Sequence, residues 1–332
     1  MSPGSIETFS RSGSTGKQPE FVATVRPPFS LSQLKALPNP TVLIQSAHPL
    51  SPREWGILAQ WFASHPDAGL RIYTEFGEPP YGDLEFLSEI PAVSDLQIDL
   101  VSLTSFEGLR HVSPRLTGLS LGVTRSKAPC LKILARFSKL QRLYVEGHAN
   151  GIDTLSQLTQ LRDLGLRGIT LRDLRLLLPL RRLQTLAFHF GGTKDLSLLP
   201  QWSKLRTLTL SNVRGLSDLD CLAELERLED LELVSLKHVT SLPSFERMMR
   251  LKKVHLHKLS QLSDLASIAV APNLRELSVY DMPQLPVATF RHFAGHPRLR
   301  RVHTVLGKGL RGSRLDQAVK SVLPFATTWG DA

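Results

Sequence analysis

A six-residue pattern, LxxLxL with Val, Ile or Phe tolerated at the leucine positions, recurs through most of the chain. It reads VSDLQI from Val93, LTGLSL from Leu116, LQRLYV from Leu140, LRDLGL from Leu161 and LQTLAF from Leu183. It continues as LRTLTL from Leu205, LEDLEL from Leu228, LKKVHL from Leu251 and LRELSV from Leu274, with a weakened LRRVHT from Leu299. Successive starts lie 23, 24, 21, 22, 22, 23, 23, 23 and 25 residues apart. A period this steady marks a stacked repeat architecture. One such unit cannot bury its own apolar side, so stability has to come from neighbours stacked on both faces. Residues 4 and 6 of each copy alternate as in a strand and point inward together. Further on, Leu216, Leu219 and Leu222, or Leu262, Leu265 and Ile268, return every third residue. That spacing suits a 3-10 or short helical turn on the opposite side.

The segments GLSDLDCLAELERLEDLEL (215–233) and QLSDLASIAVAPNLRELSV (261–279) resemble the leucine-rich-repeat superfamily. They look most like the short repeat of about 22 residues found in bacterial internalins. The resemblance covers Val93 to Val305, with weaker copies at both ends. It implies an α/β repeat fold: a curved solenoid with one parallel β-sheet on the concave face, short helices and 3-10 turns on the convex face, and caps at both ends. It also implies a macromolecular partner, most simply a protein, held on the concave sheet. The chain departs from this class in one column. The class places Asn three residues after the strand, where it forms a hydrogen-bonded ladder. Here the column reads Val101, Thr124, His148, Ile169, Gly191, Val213, Leu236, Leu259, Met282 and Gly307. The turn must therefore satisfy its backbone groups by another route.

The ends read differently from the repeats. Residues 1–28 are rich in Ser, Gly, Thr and Pro and are expected to be a disordered tail. Residues 29–92 are expected to form helix-bearing capping repeats. Ser51 is a good N-cap, Pro52 suits the first helical position and Glu54 completes a capping box. The predicted helix 52–64 would bury Trp55, Leu58, Ala59 and Phe62, with strands at TVLIQ (41–45) and LRIYT (70–74) on either side. About ten repeats occupy 93–305, and 306–332 is read as a basic loop and capping helix. Within that end, 287–294 and 313–323 look helical, and Leu315, Val319, Val322 and Leu323 should cover the final strand.

Packing explains the leucines, so recognition should lie in the outward residues of the strands. Small residues fill the middle: Gly165, Thr185, Ala187, Thr207, Thr209 and Ser211. They make a smooth track that a partner's backbone could approach. Arg142, Tyr144, Glu146 and Arg167 flank it on one side, with His189 beyond. Glu232, Lys253, His255, His257, Lys258, Tyr280 and Asp281 flank it on the other. Tyr and Arg are enriched in binding hot spots. These twelve residues are the candidate partner-binding set.

Other chemistries find less support. His255 and His257 share one strand face near Asp230 and Glu232, but nothing completes a zinc site, and no metal or cofactor is expected. No phosphate loop, nucleophile elbow or H-E-x-x-H motif occurs, and the segment after residue 305 is too short for the Cys-dependent ligase domain some repeat-bearing effectors carry. No catalytic residues are assigned and a non-enzymatic role is expected. The net charge of +10 is uneven: residues 250–332 hold 13 Lys and Arg against 5 Asp and Glu. The cations Arg298, Arg300, Arg301, Lys308, Arg311 and Arg314 could grip phosphates. Interleaved aromatic residues are missing, which disfavours nucleic acid relative to a protein partner, an acidic one included. Cys130 and Cys221 are expected to be free, buried or half-buried thiols. No apolar stretch is long enough to cross a membrane and no classical signal peptide is read. A cytoplasmic, monomeric chain is expected, with non-classical export left open. Two roles fit: an immunity protein that blocks a toxin, and a translocated effector that binds a host protein.

Overall fold

A computed structural model describes residues 5–11, 20–75, 81–90, 92–307 and 309–328. The chain divides into two units, Met1–Leu161 and Arg162–Ala332.

In the first unit, β1 (Ile6–Arg11) lies antiparallel to β2 (Glu20–Val25). From β2 onward the strands are parallel and pair in chain order: β3 (Thr41–Ser46), β4 (Gly69–Tyr73), β5 (Asp95–Asp99), β6 (Gly118–Leu121) and β7 (Arg142–Glu146). Helix α1 (Leu31–Lys35) precedes β3, and helix α2 (Pro52–Ser64) links β3 to β4. The start of α2 follows from its sequence. Ser51 and Glu54 form both halves of a capping box, with Pro at the first turn. Trp55, Leu58, Trp61 and Phe62 are buried, whereas Ala59 is only half-buried. Trp61 also donates its indole N–H to the Leu34 carbonyl at 3.1 Å, tying α2 to α1.

The first unit corrects one expectation. Residues 1–28 are not a disordered tail throughout, because 6–11 and 20–25 form strands; residues 1–4 and 12–19 lie outside the described residues. The physical reason is an edge. Without β2 and β1, the backbone of β3 would present unpaired groups. Val22, Ala23 and Val25 bury their side chains at that edge, and Gln45 donates to the Thr24 hydroxyl at 2.9 Å.

In the second unit all strands are parallel and in chain order. They are β8 (Asp163–Arg167), β9 (Thr185–His189), β10 (Thr207–Ser211), β11 (Asp230–Val234), β12 (Lys253–His257), β13 (Glu276–Tyr280), β14 (Arg301–Val305) and β15 (Ala326–Thr328). Short 3-10 turns or the one-turn helix α3 (Ala266–Ala269) return the chain on the other side, except between β11 and β12, where the return is made by turns alone. The inward positions of β8–β13 are closed off completely: Leu164, Leu186, Leu208, Leu231, Val254 and Leu277 are each 2% exposed or less. In β14 the residue matching Leu277 is Val302, also buried, whereas the second inner position, paired with Val279, is Thr304, buried with a hydroxyl that has no hydrogen-bond partner among the described residues, as befits a weakened copy.

The turn after each strand shows how the missing Asn ladder is replaced. The residue following the strand is left-handed: Gly168, Phe190, Asn212, Ser235, Lys258 and Asp281 all have positive φ. Each donates its N–H to the carbonyl ending the next strand. Phe190 donates to Ser211 at 2.9 Å, Asn212 to Val234 at 2.8 Å, Ser235 to His257 at 2.8 Å and Lys258 to Tyr280 at 2.9 Å. The backbone thus supplies a ladder of its own. The next residue turns inward, which explains the apolar column: Ile169, Val213, Leu236, Leu259 and Met282 are buried. A left-handed non-glycine residue costs about 1–2 kcal/mol, so this ladder is built against local preference.

At the C-terminal end a 3-10 turn, Val287–Phe293, and helix α4 (Gly309–Val322) pack together. Val319 and Leu323 are buried, while Leu315 and Val322 are half-buried. The buried Asp316 carboxylate accepts the Leu306 N–H at 3.1 Å. Helix α4 packs against β14, the last strand of the repeats, and also against β15, which the sequence did not foresee and which pairs with β14 beyond it.

Leu208 sits at the centre of the second unit, with leucines as register partners on both neighbouring strands. Leu208→Ala should lower the unfolding free energy by about 2–5 kcal/mol, read from the urea midpoint. A loss below about 0.5 kcal/mol would show that neighbouring repeats do not depend on this contact.

Candidate protein-binding surface

Parallel pairing in register puts equal repeat positions side by side. Thr209 is thus beside Glu232, Glu232 beside His255, and His257 beside Tyr280. The residues between the buried leucines therefore form continuous outward columns.

In the first unit the face is organised by ion pairs. Arg142 reaches back over β6 to Asp95 at 2.9 Å. Gly118 makes this possible, because a Cβ there would sit 1.9 Å from the Asp95 carboxylate and 2.9 Å from the Arg142 guanidinium. Arg71 on β4 pairs with Asp99 at 2.7 Å and lies 4.8 Å from the Tyr73 ring. Tyr144 and Glu146 are half-buried on β7. Arg71, Asp95 and Asp99 are absent from the candidate set. Arg71 precedes the first copy of the six-residue pattern at Val93, although LRIYT already carries the same alternation on β4.

In the second unit the small track is present on β8–β10, with Thr185, Ala187, Thr207 and Thr209 half-buried and Ser211 buried. Beyond it lies an aromatic cluster. The Tyr280 ring is 5.0 Å from the His255 ring, 6.4 Å from His257 and 5.5 Å from His303, all within the range of favourable ring contacts. His303, a member of the same column, was not among the candidates; its Nδ1 is 2.9 Å from the Thr327 hydroxyl of β15, the strand not foreseen. Glu232 accepts from the Thr209 hydroxyl at 3.1 Å. Between track and cluster is a recess of ≈ 280 Å³, lined among others by Thr207, Asp230, Glu232, Lys253, His255 and Glu276.

The electrostatics of this recess are those of a partly dry site. Burial lowers the pKa of His255; Glu232 opposes that effect and His257 adds to it. Burial lowers His189 too, with Arg167 acting in the same direction and Glu232 against it. Burial raises the carboxyl pKa of Asp230, against Lys253, and its Oδ1 is buried without a hydrogen-bond partner among the described residues. An acceptor left in this state costs free energy until a donor reaches it.

Not every candidate lies on this face. Lys258 and Asp281 occupy the left-handed turns after β12 and β13 and face each other at 3.8 Å. They belong to the rim, because a residue one step past the strand breaks the alternation. Arg167, at the end of β8, lies 4.6 Å from the Phe190 ring. The basic end is also less uniform than its sequence. Arg301 pairs with Glu276 at 2.6 Å, and Arg300 donates to the Pro297 and Leu299 carbonyls. Arg298 and Arg314 are exposed, while Lys308 and the side chain of Arg311 lie outside the described residues. Cys130 and Cys221 are free and half-buried, and burial pushes the Cys221 thiol up to about 12, leaving it protonated. Among the described residues, no three His, Cys, Asp or Glu side chains are placed to share a metal ion, and no helix is long and apolar enough to cross a membrane.

No protein-family model and no curated protein matches the sequence. Solved structures do match. An internalin (inlF) from Listeria monocytogenes is similar at 15% identity and TM-score 0.51, over 79% of this chain and 80% of that one. A chain of the Toll–Spatzle complex of Drosophila is similar at 14% identity and TM-score 0.52, over 85% of this chain and 43% of that one. The fold is that of the leucine-rich-repeat solenoid, as the resemblance of the repeats implied.

The raised pKa of Asp230 has a defined sign. Its folded carboxyl holds a proton more tightly than the unfolded one, so the stability it lends is present at low pH and lost as pH rises through the folded value. Asp230→Asn should therefore melt above the native protein at about pH 7, with the difference vanishing at about pH 3. A lower melting temperature at neutral pH would mean the carboxylate has a partner this geometry does not reveal.

Proposed function

We propose that the chain is a non-enzymatic protein-binding module whose partner docks on the outward strand face of the second unit. The observation that carries this reading is the Tyr280 cluster beside a polar recess. Four half-buried rings, Tyr280, His255, His257 and His303, lie on adjacent strands where the fold needs no aromatic residue. Aromatic side chains fixed in this way offer contact area at small entropic cost and are typical anchors of an interface. The adjoining Asp230 acceptor and the Glu232 carboxylate favour a partner that inserts a donor or a cation. Next to them the small residues of β8–β10 let a partner approach the sheet closely. One of the similar structures is itself of a complex, that of Toll with Spatzle, which fits a binding role for this fold. The alternative of phosphate binding at the C-terminal basic end is weaker, because Arg301 is already engaged by Glu276 and Arg300 by two carbonyls.

The test is an affinity capture from lysate of the source cells, with the native chain and a His255→Ala/Tyr280→Ala variant as parallel baits. Equal melting curves first establish that both are folded. The expected result is one protein enriched by the native bait and depleted by about tenfold or more with the variant. Equal recovery by both baits would remove this face from consideration.

A further inference from the structure

We infer that the turn rim of the second unit is a separate docking surface, shaped for an extended acidic polypeptide segment carrying an apolar side chain. The feature that requires explanation is Phe190. It follows β9, is 54% exposed and sits at φ 54°, a conformation disfavoured for a bulky residue. Its neighbours hold it there. Phe190 donates to Ser211 at 2.9 Å, and Gly192 donates to Ile169 at 2.7 Å. A Cβ at Gly191 would come within 2.2 Å of the Ile169 carbonyl, so the chain passes too closely for any other residue. Folding gains little from the ring itself, which is more than half exposed and stacks on the Arg167 guanidinium at 4.6 Å. A strained, solvent-exposed aromatic residue on a rigid turn suggests a binding role.

The surroundings define the ligand. Phe190 borders two open recesses of ≈ 520 and ≈ 580 Å³. Their walls carry Arg172, Lys194, Arg214 and Lys237, all exposed. Among the described residues, none of these four cations has an ion-pair partner. Gly215, at φ 72°, leaves room for the Lys194 stem, which a Cβ there would meet at 2.7 Å. Asp195 is the one carboxylate among the described lining residues, and it accepts the Ser197 N–H at 2.9 Å. Cations concentrated in this way favour an anionic ligand. A polypeptide is favoured over a nucleic-acid strand because Phe190 carries the one benzenoid ring among the described lining residues, with only the exposed His238 imidazole beside it. A strand bound without sequence preference stacks successive bases on successive rings. Open recesses on both sides of the Phe190 ring, each large enough for more than one residue, suit an extended segment with carboxylates flanking an apolar residue.

The surface is distinct from the Tyr280 face, and the test keeps them apart. Fluorescein-labelled random copolymer of glutamate and tyrosine, poly-glutamate of equal length and an oligo-dT are titrated into the full chain by anisotropy, at about 0.1 M salt. The copolymer should bind more tightly than poly-glutamate or oligo-dT. Arg214→Glu/Lys237→Glu should weaken both polypeptides by about tenfold. Phe190→Gly should abolish the advantage of the copolymer while melting no lower than the native chain, since glycine accepts this φ freely. His255→Ala/Tyr280→Ala should leave all three titrations unchanged. The proposal is overturned if charge reversal has no effect, if oligo-dT binds more tightly than the copolymer, if Phe190→Gly keeps the copolymer's advantage, or if the Tyr280 variant abolishes binding.

Discussion

Register is the constraint on which the rest depends. Within each unit, parallel strands pair position for position, Leu208 with Leu231 and Leu186, Leu256 with Leu233 and Val279. A slip of one residue would turn every leucine to solvent and every polar residue into the core. The buried leucines therefore do two things. They supply most of the stabilising burial, and they hold the outward residues in columns that no single repeat could arrange. The Tyr280 cluster exists because four histidine and tyrosine positions fall in adjacent columns of β12, β13 and β14.

The second constraint is the turn. A solenoid has to bend the chain away from each strand without leaving backbone groups unpaired. Here the bend is made by a left-handed residue that donates to the strand ahead of it, and the column behind can then be apolar. In the first unit the corresponding position is handled with side chains. His148 is buried at 2% exposure, with Nε2 2.9 Å from the Gly122 carbonyl and the ring edge-on to Phe106. Burial lowers its pKa, so the neutral imidazole is the form that fits, donating from Nε2 to that carbonyl.

These two constraints explain what could be read from the sequence. The repeat frame was legible because burial imposes a steady period, and α2 was legible because Ser51, Pro52 and Glu54 leave few other starts. The strands at 6–11 and 20–25 were not, because an edge pair needs few apolar residues and its partner is set by tertiary pairing. The absence of Asn signalled that the turn differed, but Val213 or Leu236 alone does not reveal that the residue before it is left-handed. Lys258 and Asp281 were placed one residue too far into the strand pattern for the same reason. Arg71 and His303 were missed at the ends of the array, where the leucine pattern weakens before the strands do.

Phe190 shows the limit of column reading most clearly. Its alignment partners are Gly168, Asn212, Ser235, Lys258 and Asp281, residues that tolerate or suit a tight polar turn. In that company a phenylalanine departs from what the backbone prefers, and neither its burial nor its turn recovers the difference. The inward leucines of the strands, by contrast, are accounted for by packing, and the ion pairs of the first unit by local charge. When position, conformation and exposure each disfavour a residue, the stability lost there is evidence of a requirement other than folding. Gly191 and Gly192 are fixed by the backbone, through the close approach to the Ile169 carbonyl and the bridge of Gly192 to Thr170, but that pairing places no demand on the side chain at position 190.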